Sequence, residues 1–211
     1  MDPKALIAAA KRGDLQAFNQ LILAYQGLAY NLAYRILGDG DAAADATQDA
    51  FLKAYRALKG YRGGSFKAWI LRIVTNTCYD QLRNKQRRPT DSLEAMMEES
   101  PDHSLLLRDG AESPEAHALR AELSNFIQAG IATLPVDQRT ILVLSDILGF
   151  SYQEIAEITT TNLGTVKSRL SRAREKLRGF LLEHEELLPS AYRLSSEPGQ
   201  PDLARPATGG L

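Results

Sequence analysis

The sequence is poor in the residues from which enzymes and metalloproteins build reactive sites. Its one cysteine, Cys78, excludes a disulfide within the chain and a zinc site made of several cysteines. The three histidines are scattered, and the chain has neither a metal-ligand spacing nor a glycine loop of the kind that binds phosphate. We therefore expect no enzymatic activity, no metal or other cofactor, and no small-molecule substrate.

Long apolar runs and alternating strand patterns are almost absent as well. No uninterrupted apolar stretch reaches the length of a membrane span, and the first residues lack the pattern of a signal peptide. These absences predict a cytoplasmic protein without membrane insertion. The chain does contain apolar residues at helical spacing, interrupted by glycine, proline and capping residues. The predicted fold class is therefore all-α.

Charge is nearly balanced over the whole chain but strongly segregated along it. The formal net charge is −1. Counting along the sequence gives +7 for residues 1–88, −7 for residues 89–122, +2 for residues 123–179 and −3 for the remainder. Two basic blocks separated by an acidic stretch indicate two modules that face nucleic acid.

The first basic block is predicted to be a small helical domain spanning residues 1–88. Asp14 can cap a helix that runs to Leu37, where Gly38 ends it. Further helices are predicted over residues 42–58 and 66–85, separated by glycine-containing turns.

The rest of the chain divides into a linker, a second helical domain and a tail. Residues 89–113 mix acidic, polar and proline residues without periodicity, which predicts a flexible acidic linker. Residues 114–183 form the second domain, which begins at the helix start signal Ser113-Pro114-Glu115. Residues 184–211 contain four prolines and are predicted to be a disordered tail.

The segment from Ser151 to Arg178 is predicted to be a short helix, a turn and a second, basic helix. Ser151 and Glu154 have the spacing of a capping box, and Thr161 or Asn162 is expected to cap the second helix. Its apolar stripe is formed by Leu163, Val166, Leu170, Ala173 and Leu177.

The basic residues of this second helix lie off the stripe, which is the layout of a helix-turn-helix that enters the major groove. A basic amphipathic helix can also be only a solvated face. The capping box and the polar residues in the early turns favour contacts with DNA. The candidate residues are Thr165, Lys167, Ser168, Arg169, Arg172 and Arg174.

The helix predicted over residues 66–85 combines cations with aromatic rings. Such a surface suits single-stranded nucleic acid, because Lys67 and Arg72 can follow phosphates while rings stack on bases. Trp69 has two interpretations, a base contact or a core residue among its apolar neighbours. Asn76 and Thr77 are polar residues in mid-helix, where they lower helix propensity, and are candidates for contacts.

A third candidate surface lies on the helix predicted over residues 42–58. Asp45, Gln48 and Asp49 fall on neighbouring turns, with Phe51 toward the other side. This side of the helix is either a solvated face or a docking site for another protein.

Four segments carry a resemblance to a known family. They occur in the order ADATQDAFLKAY (44–55), SFKAWILRIVTNTCYDQLR (65–83), LPVDQRTILVLSDILGFSYQEIAE (134–157) and LGTVKSRLSRAREKLR (163–178). Together they resemble a bacterial RNA polymerase sigma factor of the extracytoplasmic-function group, and the resemblance covers most of the chain outside the linker and tail.

The resemblance implies that the two domains have different binding roles. In this family the first domain binds the clamp helices of the polymerase β′ subunit and captures the melted minus-ten element. The second domain reads the duplex minus-thirty-five element, and the β flap is a further polymerase contact. An anti-sigma factor is an additional implied partner.

The family motifs also imply roles for individual residues. The polymerase-docking motif matches at Asp45, Gln48, Asp49 and Phe51, although two usually acidic positions are Ala42 and Ala44 here. The promoter-melting segment matches at Trp69, Arg72, Asn76, Thr77 and Asp80.

A second hypothesis is a dimeric helix-turn-helix regulator. It predicts a ligand or receiver domain or a dimerisation helix, and the sequence contains no such segment. It also leaves the basic, aromatic helix around Trp69 unexplained. The sequence therefore favours a sigma factor.

Overall fold

A computed structural model describes residues 3–87 and 114–187, and every regular element in these two parts is helical. The first part forms α1 (Pro3–Lys11), α2 (Leu15–Leu37), α3 (Gly40–Ala57) and α4 (Phe66–Arg87), with a 3-10 turn at Leu58–Gly60. The second forms α5 (Pro114–Ala132), α6 (Val136–Leu142), α7 (Tyr152–Thr159) and α8 (Leu163–Glu183). This confirms the all-α prediction. The predicted linker lies outside the described residues.

The ends of the first helices follow from local chemistry. Asp14 caps α2 by accepting a hydrogen bond from the Ala17 amide at 3.0 Å. Gly38 ends the helix in the left-handed conformation, with φ of 76°. Both features confirm the predictions for this helix. Helix α3 begins at Gly40, two residues before the predicted start at residue 42, because Asp39 caps it.

Helices α2, α3 and α4 pack around a core rich in alanine. Small side chains such as Ala29, Ala33, Ala43 and Ala50 are fully buried, which lets the helices approach closely. The sequence pattern does not predict α1, which packs on α2. Ala10 of α1 is buried in this core, so tertiary contacts stabilise a helix of only nine residues.

The second part differs from its prediction between α6 and α7. Helical spacing after Pro135 predicts one helix that runs to Leu148, but the α-helix ends at Leu142 and a π-helical turn follows over Val143–Ile147. Gly149 then ends the element with φ of 70°. At the other end of the chain, a 3-10 turn over Glu185–Leu187 extends into the segment that was predicted to be a disordered tail.

The two parts pack against each other through a continuous hydrophobic core. Helix α2 contacts α5 and α6, and α4 contacts α7. This direct packing is not visible in the sequence pattern, which predicts only two modules and a linker. None of the helices in residues 3–87 and 114–187 is long and apolar enough to cross a membrane.

Candidate nucleic-acid and protein interfaces

The helix-turn-helix begins with the capping box that the sequence predicts. The Ser151 hydroxyl accepts a hydrogen bond from the Glu154 amide, and the Glu154 carboxylate accepts one from the Ser151 amide at 2.9 Å. This backbone bond favours the ionised carboxylate and holds the pKa of Glu154 below its ordinary value. Ile155 and Ile158 are buried on the opposite side of α7.

The turn between α7 and α8 is built without glycine. Thr160 ends α7 in the left-handed region, with φ of 53°, an unusual conformation for a β-branched residue. Asn162 then caps α8, since its side-chain oxygen accepts a hydrogen bond from the Thr165 amide at 2.8 Å. Of the two caps considered from the sequence, Asn162 is therefore the correct one.

Helix α8 buries an apolar stripe and exposes a polar face. Val166, Leu170 and Ala173 are buried as predicted, whereas Leu163 is 42% exposed. The buried stripe therefore begins one turn later than the sequence suggested. Lys167, Ser168 and Arg172 are exposed and Thr165 is half-buried. These four side chains lie in the first three turns of the helix.

The other two basic candidates on α8 are held by acidic residues of α6 and the following π-turn. Arg169 Nε lies 2.9 Å from a carboxylate oxygen of Asp137. Arg174 donates two hydrogen bonds to Asp146, at 2.9 and 2.7 Å. These bonds hold the pKa of Asp146 below its ordinary value. Both arginines thus connect α8 to the rest of the second part, a role that the sequence reasoning missed.

The candidates for strand contacts lie at different depths on α4. Asn76 is exposed in mid-helix. Asp80 is also exposed and pairs with Arg83 at 2.5 Å and more distantly with Lys53 at 3.9 Å. Thr77 is only 1% exposed, and its hydroxyl accepts a hydrogen bond from Lys53 at 3.1 Å. In this arrangement Thr77 supports the packing of α4 on α3 and faces away from solvent.

Trp69 takes part in an aromatic cluster. Its ring centroid lies 5.2 Å from that of Tyr61 and 5.3 Å from that of Phe66, within the usual range for aromatic pairs. The side chain is half-buried against the core, so one part of the ring packs and another remains accessible. Trp69 therefore packs against the core, and its contact with a base stays a prediction.

Lys67 and Arg72 face the second part of the chain. The Lys67 ammonium lies 4.1 Å from the ring centroid of Phe150, a cation–π distance. Arg72 Nε donates a hydrogen bond to the Glu157 carbonyl at the end of α7, at 2.8 Å. Lys67 is thus engaged by Phe150 and Arg72 by α7.

The predicted docking face on α3 is accessible and borders an apolar groove. Asp45, Gln48 and Asp49 are exposed, while Phe51 is 8% exposed and belongs to the core. Phe51 forms the floor of a groove of about 420 Å³ between α2 and α3. Its lining includes Leu15, Phe18, Ile22, Leu52 and Tyr55. The signal in the sequence that could have indicated the groove is Leu52, an apolar residue one helical turn after Gln48.

A second apolar groove, of about 500 Å³, lies on the second part of the chain. Its apolar lining comes from Leu123, Ile127, Leu142, Leu177, Leu181 and Leu182. The ion pair of Asp146 and Arg174 stands at its edge. The sequence reasoning did not identify this groove, because its walls come from three helices that are separated along the chain.

Comparisons with known proteins agree with both halves of this arrangement. The family profile described as Sigma-70 region 2 matches residues 21–88, and the one described as Sigma-70, region 4 matches residues 127–177. The chain is 41% identical to the RNA polymerase sigma-H factor of Pseudomonas aeruginosa over 177 residues, covering 82% of this chain and 90% of that protein. It is 38% identical to the ECF RNA polymerase sigma-E factor of Escherichia coli over 176 residues, covering 82% and 91%.

Two solved structures share the fold of this chain. CnrH in complex with the cytosolic domain of CnrY has a TM-score of 0.62 and 26% identity, covering 87% of this chain and 99% of that one. The sigma factor RpoE in complex with the anti-sigma factor NepR, from Bartonella quintana, has a TM-score of 0.62 and 27% identity. That match covers 81% of this chain and 99% of the other.

Proposed function

The chain belongs to the extracytoplasmic-function group of sigma-70 factors, and we propose a role in transcription initiation for each of its candidate surfaces. As a sigma factor it directs RNA polymerase to promoters. Sigma factors act as initiation factors, by binding and not through a reaction of their own. The alternative of a dimeric regulator does not account for the region 2 match over residues 21–88.

The upstream promoter element is read by the exposed early turns of α8. Lys167 and Arg172 supply phosphate and base contacts, and Thr165 and Ser168 donate or accept hydrogen bonds at base edges. The exposure of Lys167, Ser168 and Arg172 on a capped, basic helix is the main support for this assignment. Arg169 and Arg174 act differently, since their ion pairs fix the orientation of α8 while their remaining N–H groups can approach phosphates.

The downstream element is captured on α4. Asn76 is the polar side chain in the middle of the helix that is exposed enough to bind an unpaired base. Trp69 offers a partly accessible ring for stacking, and Lys67 and Arg72 follow the strand's phosphates. Extracting a base costs a few kcal/mol, which binding of the base and of the open strand offsets. Asp80 and Thr77 have an indirect role, in which Asp80 pairs with Arg83 and Thr77 accepts a hydrogen bond from Lys53.

Core polymerase docks on two separate surfaces. The β′ clamp helices bind the face of α3 that carries Asp45, Gln48 and Asp49, with apolar side chains entering the groove above Phe51. The β flap binds the apolar groove of the second part. Both surfaces combine apolar lining with charged edges, the usual composition of a protein interface.

An anti-sigma factor is the regulatory partner, and the protein works in the cytoplasm, where polymerase and promoter meet. The similar structure of RpoE was solved with the anti-sigma factor NepR. The likeness in fold and sequence to that protein supports a partner of the same kind here.

Run-off transcription with core polymerase on a fragmented genomic library tests the assignment directly. The intact chain should yield transcripts from a common promoter motif. Asp45→Ala and Gln48→Ala should lose co-elution with core, while Lys167→Ala should keep it and give weaker transcription. Loss of core binding in Lys167→Ala equal to that in the α3 variants would contradict the proposed division of roles.

A further inference from the structure

The second apolar groove presents accessible apolar side chains on α5 and α8. Leu182 is 48% exposed, and Leu123, Ile127, Leu177 and Leu181 are only partly buried. Apolar side chains that remain in contact with water along one groove would gain free energy on burial. The groove therefore suits an apolar occupant.

The chain leaves the described structure at one end of this groove. Glu185, in the 3-10 turn that follows α8, lines the groove, and the description of the second part ends two positions later, at Leu187. The other lining residues of α8 lie back along the helix as far as Arg174. At 1.5 Å per residue, the groove follows α8 for about 16 Å. The residues after Leu187 therefore start beside the groove and are tethered to it.

The residues that follow have the apolar pattern of an extended segment. In LPSAYRL (188–194), Leu188, Tyr192 and Leu194 are separated by even numbers of positions. Side chains at such a spacing lie on the same side of an extended chain. An extended LPSAYRL segment therefore presents three large apolar side chains to one surface.

The length and the proline of the LPSAYRL segment also suit the groove. Pro189 disfavours continuation of the helix and biases Leu188 toward an extended conformation. At about 3.3 Å per residue, the seven residues span about 20 Å, so they can turn back and still reach along most of the groove. The next residues, SSEPG (195–199), contain no large apolar side chain. The apolar pattern thus ends at a length close to that of the groove.

We propose that the LPSAYRL segment binds back into the second groove of its own chain and covers the surface that is proposed to bind the β flap. The inference rests on that proposed role of the groove. Leu188, Tyr192 and Leu194 pack on the exposed Leu182 and its apolar neighbours. Because both occupants use the same side chains of α5 and α8, the segment must leave before polymerase binds there.

Tethering makes a weak contact sufficient for this competition. A segment joined directly to its site has an effective concentration on the order of 1 mM. A dissociation constant of about 0.1 mM for the same segment as a free peptide would keep the groove filled for about nine-tenths of the time. The apparent affinity for polymerase falls with the fraction of open grooves, so the segment lowers it about tenfold.

The position of the segment is measured first, without polymerase. p-Benzoylphenylalanine in place of Tyr192 keeps an aromatic ring in the segment and forms cross-links to nearby C–H bonds on irradiation. We expect cross-links within one copy of the chain, to peptides that contain Leu123, Ile127 or Leu182. The same amino acid in place of Leu203, outside the segment, is the matched control and should give none of these. Cross-links only elsewhere on the chain, or only between two copies, would overturn the proposal.

Competition is then measured by titration with core polymerase. The double variant Tyr192→Ser/Leu194→Ser should bind core about tenfold more tightly than the wild type, whereas Leu203→Ser should bind like the wild type. Equal helix content by circular dichroism is expected, because the substitutions lie outside the described helices. Equal core affinity of the double variant and the wild type would contradict the competition.

One further substitution separates this inference from the proposed polymerase contact. Leu182→Ser, added to Tyr192→Ser/Leu194→Ser, removes an exposed apolar side chain from a groove that the segment no longer covers. Weaker core binding of this triple variant supports the groove as a polymerase contact. If it appears while the double variant binds like the wild type, only the inference about the segment fails. If neither variant changes core binding, the proposed β flap contact fails as well.

Discussion

Arg169 on α8 and Asp137 on α6 form an ion pair with 2.9 Å between Nε and the carboxylate oxygen. The pair crosses from the first residues of α6 to the second turn of the helix that is proposed to read DNA. Its side chains are 33% and 38% exposed, so solvent screens the attraction and its stabilising effect is modest. Its main consequence is geometric, since it fixes α8 relative to α6.

Lys167→Ala and Arg169→Ala should therefore have different effects. Lys167 is exposed, so its loss should reduce upstream-element binding and lower the salt slope by about one unit, with a change in stability below about 0.5 kcal/mol. Arg169→Ala should also lower the free energy of unfolding, by up to about 1 kcal/mol. Binding to a duplex promoter at several salt concentrations and urea unfolding measure the two effects. Unchanged stability in Arg169→Ala would contradict the structural role of the ion pair.

Asn76→Ala should impair promoter opening with little change in closed-complex affinity. The reason is that Asn76 is exposed in mid-α4 and proposed to bind a base only after it leaves the duplex. Permanganate footprinting of holoenzyme on the identified promoter measures the open region. Asn84→Ala, an exposed asparagine two turns further along the same helix, is the matched control and should melt the promoter normally. Equal melting by both variants would remove Asn76 from the proposed site.

Gly130→Ala should destabilise the protein, by about 1–3 kcal/mol. A Cβ atom at this position would lie 2.7 Å from Phe180 Cδ1 and 2.8 Å from Leu177 Cδ1, so these side chains, or the helices α5 and α8 themselves, would have to shift. Gly27→Ala is the matched control, because a Cβ there has no neighbour within 4 Å. Since alanine has the higher helix propensity, Gly27→Ala should stabilise α2 by up to about 1 kcal/mol. Urea unfolding measures both, and equal effects would refute the close approach of the two helices.

The ion pair of Asp146 and Arg174 should make stability depend on pH. The hydrogen bonds from Arg174 hold the pKa of Asp146 below its ordinary value, so the unfolded chain takes up a proton at this site more readily than the folded one. The stabilisation is complete above the unfolded pKa of about 4 and is lost as pH falls through the lower folded pKa. Asp146→Asn should therefore be less stable than the wild type at pH 7.

Urea unfolding of both proteins at pH 7, 5 and 3.5 checks this dependence. The difference in unfolding free energy should be constant between pH 7 and 5 and smaller at pH 3.5. A difference that stays the same at all three values would show that Asp146 acts through packing and not through its charge.

Local signals in the sequence account for the helix ends. The capping box of Ser151 and Glu154, the cap at Asp14 and the left-handed Gly38 each depend on residues within one turn of one another. Because such interactions need no distant partner, the sequence alone predicts these helix ends. The same holds for the buried stripe of α8 from Val166 onward, which follows from helical spacing.

Other features required contacts between distant segments. Helix α1 depends on packing against α2, and the π-turn that holds Asp146 interrupts a segment whose spacing predicts an ordinary helix. Thr77 has the polarity of a contact residue, yet its side chain is buried under Lys53. Polarity and periodicity describe one helix at a time, so they do not indicate which other helix packs against it.

The fold class, the helix-turn-helix and the family could be predicted from the residues alone, because spacing, caps and characteristic segments are local features of the chain. The packing of the helices was needed to learn which cations on the proposed DNA surfaces are exposed and which are engaged. Lys167 and Arg172 are exposed, whereas Arg169 and Arg174 are held by acids and Arg72 by the carbonyl of Glu157. The physical reason is that the partner of a charged side chain depends on three-dimensional proximity, which helical periodicity does not encode.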